Sequence, residues 1–304
     1  MTTFPQDAHG LIHRSAVIKA GLTDDDLRRS LRRHEIVRVI RGVFAVAAIR
    51  DHTTCHRLQS IATATTNSRK HPLSHQSAAV MHGLEMLKPN FRRVHTTAPD
   101  SGYRTATAHC HVATLDDDDV VEVDGIAVTS IERTAVDIAC ATATFPQALA
   151  VFDSALRLGA KREVMAEMLI EKRRGVAVAR RALHFADGSS ENPGESWSRA
   201  QMIEAGLRLP RLQHTFRDGD QHVARTDFDW DGRLVGEFDG KVKYQKLLKP
   251  GEDVTEVVLR EKAREDKLRS MNIMVIRWTW ADLEAGRVVE LIRQWLVQLE
   301  MAAA

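Results

Sequence analysis

The stretch "RTDFDWDGRLVGEFDGKVKY", residues 225–244, places two short apolar runs on either side of an Asp-Gly pair and carries five acidic residues. Its alternation at period two reads as two strands. On the first, Arg225, Asp227 and Asp229 share a face; on the second, Glu237, Asp239 and Lys241 do. The loop decides whether those faces coincide. A two-residue Asp-Gly turn would put the two acid sets on opposite faces. A three-residue loop, or a single bulge, pairs Trp230 with Leu234 and sets Asp227 opposite Glu237. Asp-Gly favours the tight turn, but the apolar pattern favours the longer loop. Only the longer loop gathers Phe228, Trp230, Leu234, Gly236 and Phe238 on one face.

Like charges facing each other across a sheet are destabilising, and paired carboxylates raise each other's pKa unless a cation lies between them. Mg²⁺, or Mn²⁺, takes oxygen ligands and is commonly held by one or two carboxylates. Such an ion acidifies an attacking water and stabilises the departing oxygen of a phosphodiester. Asp227 and Glu237 are therefore the candidate metal ligands. Lys241 on the same face is placed to hold a phosphate or a water, and Asp239 is a secondary acid. Glu195, in the first turn of a helix read from "GESWSRAQMIEAGLRLP", is placed to hydrogen-bond a metal-bound water. The plainer alternative is a charged, solvated sheet edge.

Around this hairpin the pattern reads α-β-β-β-α-β and a closing helix. "RLQHTFRDG" is the first strand, "DVTEVVLREKAREDKLRSM" the long helix and "NIMVIRWTW" the last, buried strand. "ADLEAGRVVELIRQWLVQL" reads as one helix. "ADGSSENPGE" is a linker by composition.

Near the other end, "SAVIKAGLTDDDLRRSLRRHEIVRVIRGVFAV" gives a short helix stopped by Gly21 and a second helix capped by Thr23. A hairpin then turns at Arg41-Gly42. This is the outline of a winged helix-turn-helix. Leu27 and Leu31 face its core. Arg28, Arg29, Arg32 and Arg33 on the second helix, with Arg38 and Arg41 on the hairpin, suit a helix in a DNA groove flanked by a phosphate-touching wing. The competing reading pairs these arginines with the helix's own aspartates at helical spacing.

The middle of the chain carries "SHQSAAVMHGLEML", a helix capped by Ser74 and ended by Gly83, then short strands and two helices. His109 and His111 share a strand face, but without a third nearby ligand they read as structural or solvent-facing. The run Asp116 to Asp119 reads as a charged loop tip. The fold class is thus α/β and multidomain: a winged helix over 1–50, an α/β scaffold over 51–185, a linker over 186–194 and a strand-rich α/β domain over 195–304.

Composition sets the outer limits. The 304 residues are 43% hydrophobic and 28% charged with a net charge of +2, so no global charge announces nucleic acid. Three cysteines without metal-like spacing read as reduced, mostly buried thiols of a cytoplasmic protein. No run of eighteen apolar residues exists, which excludes a membrane-spanning helix.

The motifs "RTDFDW…GEFDGKVKY" and "REKAREDKLRSMNIMVIRWTWADL" resemble the PD-(D/E)XK nuclease fold, a restriction-endonuclease-like fold, and most closely its very-short-patch-repair-like branch. The resemblance covers roughly residues 193–297. It implies that Asp227 and Glu237 are the metal-binding acids, that Glu195 is the helical acid, and that Asp239 stands where the motif lysine usually does. Lys241 is the candidate substitute. The N-terminal segment is similar to the winged-helix domain of AbiEi-type antitoxins of type IV toxin–antitoxin systems, and "SHQSAAVMHGL" and "VTSIERTAVDIA" resemble that family's middle region.

The expectation is a metal-dependent DNA endonuclease acting in defence or repair, with Arg260, Lys262 and Arg264 touching the DNA backbone. An RNA nuclease would present the same chemistry. The alternative is a non-catalytic, antitoxin-like regulator with a toxin partner and a degenerate nuclease fold.

Overall fold

The structure is a computed structural model, and it describes residues 3–48, 50–67, 71–142, 144–240 and 254–301, with backbone only for 254–261. Lys241 and the side chain of Arg260 lie outside the described residues. The chain divides into two units, Met1–Leu84 with Lys88–Ile138, and Glu85–Leu87 with Ala139–Ala304.

The first unit opens with β1 (Leu11–His13), α1 (Arg14–Lys19) and α2 (Asp24–Arg32). Thr23 caps α2: its hydroxyl oxygen accepts the Asp26 N–H at 3.2 Å, and the Asp26 carboxylate accepts the Thr23 N–H at 2.9 Å. Leu27 is buried beside Val17, Ile36 and Phe44, and Leu31 packs against them. The hairpin β2 (Ile36–Ile40) and β3 (Val43–Val46) follows, with β3 central in the order β1-β3-β2.

Next come α3 (His52–Thr66), α4 (His75–His82), β4 (Val94–Ala98), β5 (Tyr103–Arg104) and β6 (Ala108–Val112). The hairpin β7 (Val120–Val123) and β8 (Ile126–Thr129) leads into α5 (Ile131–Ala141). β6 pairs in parallel with β4 and antiparallel with β5. Three expectations are corrected here. Ser74 precedes α4 without capping it through its side chain. Asp119 is buried against Arg133 at 2.7 Å, so the acidic run is not simply a solvated tip. Cys55 is exposed, leaving Cys110 as the buried thiol.

The second unit contains α6 (Phe145–Arg157), α7 (Arg162–Met168), α8 (Val176–Phe185) and α9 (Pro193–Glu204). β9 (Arg211–Asp218), β10 (Gln221–Trp230) and β11 (Leu234–Asp239) follow, then α10 (Val254–Ser270), β12 (Met274–Thr279), α11 (Trp280–Glu284) and α12 (Val288–Gln298). The segment read as one closing helix is two, separated where Gly286 takes a left-handed φ of 66°. The linker by composition is docked: Asp187 donates its N–H to Asp153 at 2.7 Å, and Ser190 is buried.

The four strands run β12-β11-β10-β9, antiparallel except for the parallel β11–β12 pair. One sheet face carries Phe228, Trp230, Leu234, Phe238 and Trp278 against Met202 of α9, Leu283 of α11 and Ile292 of α12. Phe228 stacks on Trp278 with ring centroids 5.2 Å apart. The buried indoles keep partners, Trp230 Nε1 donating to Arg208 O at 2.9 Å and Trp278 Nε1 to Ser198 Oγ at 2.7 Å. Large rings fit this layer because Gly236 lies under Trp278, where a Cβ would come within 2.4 Å of the indole.

Candidate functional site

The hairpin of residues 225–244 folds with Trp230 paired to Leu234 and Phe228 to Gly236. Asp231 and Gly232 both take left-handed φ values, 54° and 69°, and Arg233 N–H returns to Trp230 O at 3.1 Å. Asp-Gly thus makes the tight turn it favours, and Arg233 is the extra residue that shifts the register. Asp227, Asp229 and Glu237 consequently share the face opposite the aromatic layer.

Asp229 on that face is structural. Its Oδ1 accepts the Gly232 N–H at 2.7 Å, and its Oδ2 accepts Arg211 Nε at 2.9 Å. Asp227 differs: Oδ2 accepts the Phe238 N–H at 2.9 Å, while Oδ1 faces Gln213 Nε2 at 3.4 Å. The same Gln213 nitrogen donates to Glu195 Oε2 at 3.0 Å.

Glu195 arrives from the first turn of α9. Asn192 caps that helix through Oδ1, accepting the N–H groups of Gly194 and Glu195 at 2.9 and 3.1 Å. Asn192 Nδ2 donates to Glu195 Oε1 at 2.5 Å, and the Glu191 N–H donates to Oε2 at 2.8 Å. The helix is fixed from behind by a buried ion pair, Arg199 Nη1 to Asp153 of α6 at 3.0 Å. Glu195 is only 3% exposed. Burial first, and the Asp227 charge second, push its carboxyl up to about 7 despite these donors.

Glu237, 6% exposed, is held by two guanidinium groups. Arg264 of α10 donates through Nη2 to Oε1 at 2.7 Å and Oε2 at 3.0 Å. Arg277, its register partner on β12, donates through Nε to Oε2 at 3.0 Å and through Nη1 to Glu265. Arg264 was expected to touch a DNA backbone, and this is corrected: it points into the sheet. Lys262 is exposed. Asp239 is partly exposed at the end of β11.

Gln213 escaped the sequence reading. It sits in mid-strand at a left-handed φ of 51°, a conformation that costs a non-glycine residue about 1 kcal/mol or more. The β9–β10 register shifts by one between His222 and Ala224. Counted without that bulge, Gln213 would lie opposite Thr226, on the wrong face. The bulge sets it opposite Asp227.

No protein-family model matches the chain. Two Mycobacterium tuberculosis relatives, "Uncharacterized protein Rv2248" of strain H37Rv and "Uncharacterized protein MT2308" of strain CDC 1551, are each 34% identical over 186 residues. The match covers 59% of this chain and 65% of theirs. Among solved structures, the RV2827C protein of Mycobacterium tuberculosis aligns with a TM-score of 0.38 at 15% identity, over 69% of this chain and 84% of that one.

The arginine set of the first unit is divided. Arg28 pairs with Asp25 at 2.5 Å and Arg29 with Asp26 at 3.2 Å, as the competing reading of the helix required. Arg32, Arg33, Arg38 and Arg41 are exposed. Arg14, Arg28, Arg38 and Arg41 line a groove of about 750 Å³ between α2 and the β2–β3 hairpin. Among the described residues no helix is long and apolar enough to cross a membrane.

Proposed function

We propose that the second unit is a divalent-metal-dependent DNA endonuclease of the PD-(D/E)XK type, and that the β-α-α-β-β start of the chain is a winged-helix DNA-binding head. One observation carries the reading: two buried carboxylates, Glu195 and Glu237, and the half-buried Asp227 come from a helix and two strands to one face of a sheet. Two of them share a single donor on Gln213. Buried acids are rarely brought together without a counter-charge or a task.

The donor set suits a hard cation. Asp227 and Glu195 supply oxygens whose mutual repulsion a cation would relieve, and Glu237 supplies more where Arg264 and Arg277 yield them. Mg²⁺ or Mn²⁺ held there would acidify a water and draw charge from a phosphodiester. The protein's own share is positional. Gln213 Nε2 orients one oxygen of Glu195 and one of Asp227. Glu195, titrating near neutrality, can take or give a proton at Oε. Arg277, the more exposed of the two guanidinium groups on Glu237, presents positive charge where a phosphate would enter. Arg32, Arg33, Arg38 and Arg41 supply backbone contacts in the head.

A second reading rests on a specific observation. Both oxygens of Glu237 are already occupied by guanidinium groups, and Asp239 stands at the motif lysine's place. These favour a DNA-binding regulator of antitoxin type whose nuclease fold is a scaffold.

One experiment separates them. The full chain is incubated with plasmid and linear DNA, with Mg²⁺, Mn²⁺ or chelator, beside an Asp227→Ala, Glu237→Ala double variant. Cleavage that requires both metal and acids supports the nuclease. DNA binding without cleavage, unchanged in the double variant, supports the regulator and rejects the nuclease.

A further inference from the structure

The first unit holds a cluster of imidazoles that the nuclease reading does not use. β4 and β6 pair in parallel with His95 beside His109 and Thr97 beside His111, which puts His95, His109 and His111 on one face. The chain before α4 is threaded across this sheet. Leu73 bridges both Thr96 and Val128, and the Ser74 N–H donates to His95 O at 3.0 Å. The threading delivers His75, the first residue of α4, onto the same face in a left-handed backbone conformation with φ 49°.

His75 and His111 stack with centroids 3.7 Å apart, and His95 Nδ1 lies 2.9 Å from His111 Nε2. One ring nitrogen from each of His75, His95 and His111 falls within 4.8 Å of the others.

We propose that His75, His95 and His111 form a transition-metal site, with Zn²⁺ the favoured ion, that ties the start of α4 to the β4–β6 sheet. Three imidazole nitrogens with no carboxylate suit Zn²⁺ and the neighbouring transition ions, and do not suit Mg²⁺ or Ca²⁺. At a Zn–N bond of about 2.0–2.1 Å, tetrahedral ligand nitrogens lie about 3.3–3.4 Å apart. The His95–His111 separation needs to open by a few tenths of an ångström, and the third nitrogen to close in. Outer contacts already orient the ligands. Ser74 Oγ lies 3.1 Å from His75 Nδ1, and Ser77 Oγ accepts the His95 N–H at 2.9 Å while bonding His56 Nε2 at 2.9 Å.

Burial holds these rings neutral, the form a metal needs: His95 is pushed down to about 3, His111 to about 4 and His75 well below its usual range. Arg93, Arg104 and Arg133 are the cations nearby, and Arg133 is neutralised by Asp119 and Asp137. His109 lies against His111 in a tilted arrangement, ring centroids 3.8 Å apart, but stands outside the set of three.

The test uses the full chain without a histidine tag, stripped with chelator and titrated with Zn²⁺ and with Co²⁺. Expected are one tightly bound ion per chain, intense visible Co²⁺ bands of tetrahedral type, and a Zn²⁺-dependent rise in Tm of roughly 5 °C. His95→Ala and His111→Ala should each lose the ion, and His109→Ala should keep it. No stoichiometric binding by the wild type, or binding unchanged in both ligand variants, overturns the site. Loss in His109→Ala overturns the three-ligand assignment. If the ligand variants fail to fold by circular dichroism, the wild-type Co²⁺ spectrum decides, since its absence rejects the proposal. The outcome is independent of DNA cleavage.

Discussion

Glu195 and Asp227 are bound to one and the same donor, Gln213 Nε2, at 3.0 and 3.4 Å. A single amide proton pair therefore spans two acids from different elements. Burial first, and the repulsion between those acids second, raise the Glu195 carboxyl to about 7.

That shift fixes a pH dependence. Glu195's folded pKa lies above its unfolded one, so the folded state binds the extra proton between about 4.5 and 7. Its contribution to stability is greatest below about 4.5, falls as pH rises through 7 and stays low beyond. Glu195→Gln should flatten this part of the curve and gain stability at pH 8, on the order of a few kcal/mol. Calorimetry at pH 5 and 8 checks it; an unchanged slope contradicts the assignment.

Gln213 separates strain from chemistry. Gln213→Ala and Gln213→Gly remove the same amide, but only glycine relaxes at φ 51°. The glycine variant should be more stable than the alanine variant by about 1 kcal/mol. Urea unfolding measures that difference. On the proposed nuclease reading, both should lose cleavage alike, by about tenfold or more.

Arg264 and Arg277 neutralise a buried acid. Replacing both by methionine leaves Glu237 uncompensated and should cost about 3–5 kcal/mol, whereas adding Glu237→Gln to that double variant should recover much of it. Chemical denaturation of the three proteins reads the coupling directly.

Gly236→Ala should destabilise the second unit by about 1–3 kcal/mol, because its Cβ would meet the Trp278 ring at 2.4 Å. A change in indole fluorescence alongside the lower midpoint would locate the damage in the aromatic layer.

In the head, Arg38→Ala and Arg41→Ala should each lower the slope of log K against log salt by about 0.9 for duplex DNA. Arg28→Ala should do less, since Arg28 is already paired with Asp25. Salt titrations of binding decide, and equal slopes for all three would remove the groove between α2 and the hairpin from the DNA interface.

How far the sequence could be read depended on whether the decisive signal was local. The Trp230–Leu234 pairing follows from the apolar alternation of two adjacent runs, and Thr23 and its aspartates announce α2 within four residues. Gln213 was hidden by a bulge that no composition marks. The pairing of Glu237 with Arg277 comes from parallel strands joined through residues 240–273, a separation that periodicity cannot bridge. Arg264 was legible in principle: it precedes buried Leu268 by four residues, so both lie on the inward stripe of α10. The imidazole cluster was half visible as His109 and His111, but His75 and His95 join it only through threading across the sheet.

The parallel β11–β12 pair also sets an order of events during synthesis. Antiparallel β9, β10 and β11 can zip together as they emerge, bringing Asp227 and Glu237 to one face early. Arg264 and Arg277, which balance Glu237, are translated later, and β12 can dock only after the whole crossover has left the ribosome. A nascent chain halted within residues 240–263 carries the acids without their cations. The charge balance of the site therefore marks a completed four-stranded sheet, and a chain interrupted before β12 is left with β11 as an open sheet edge.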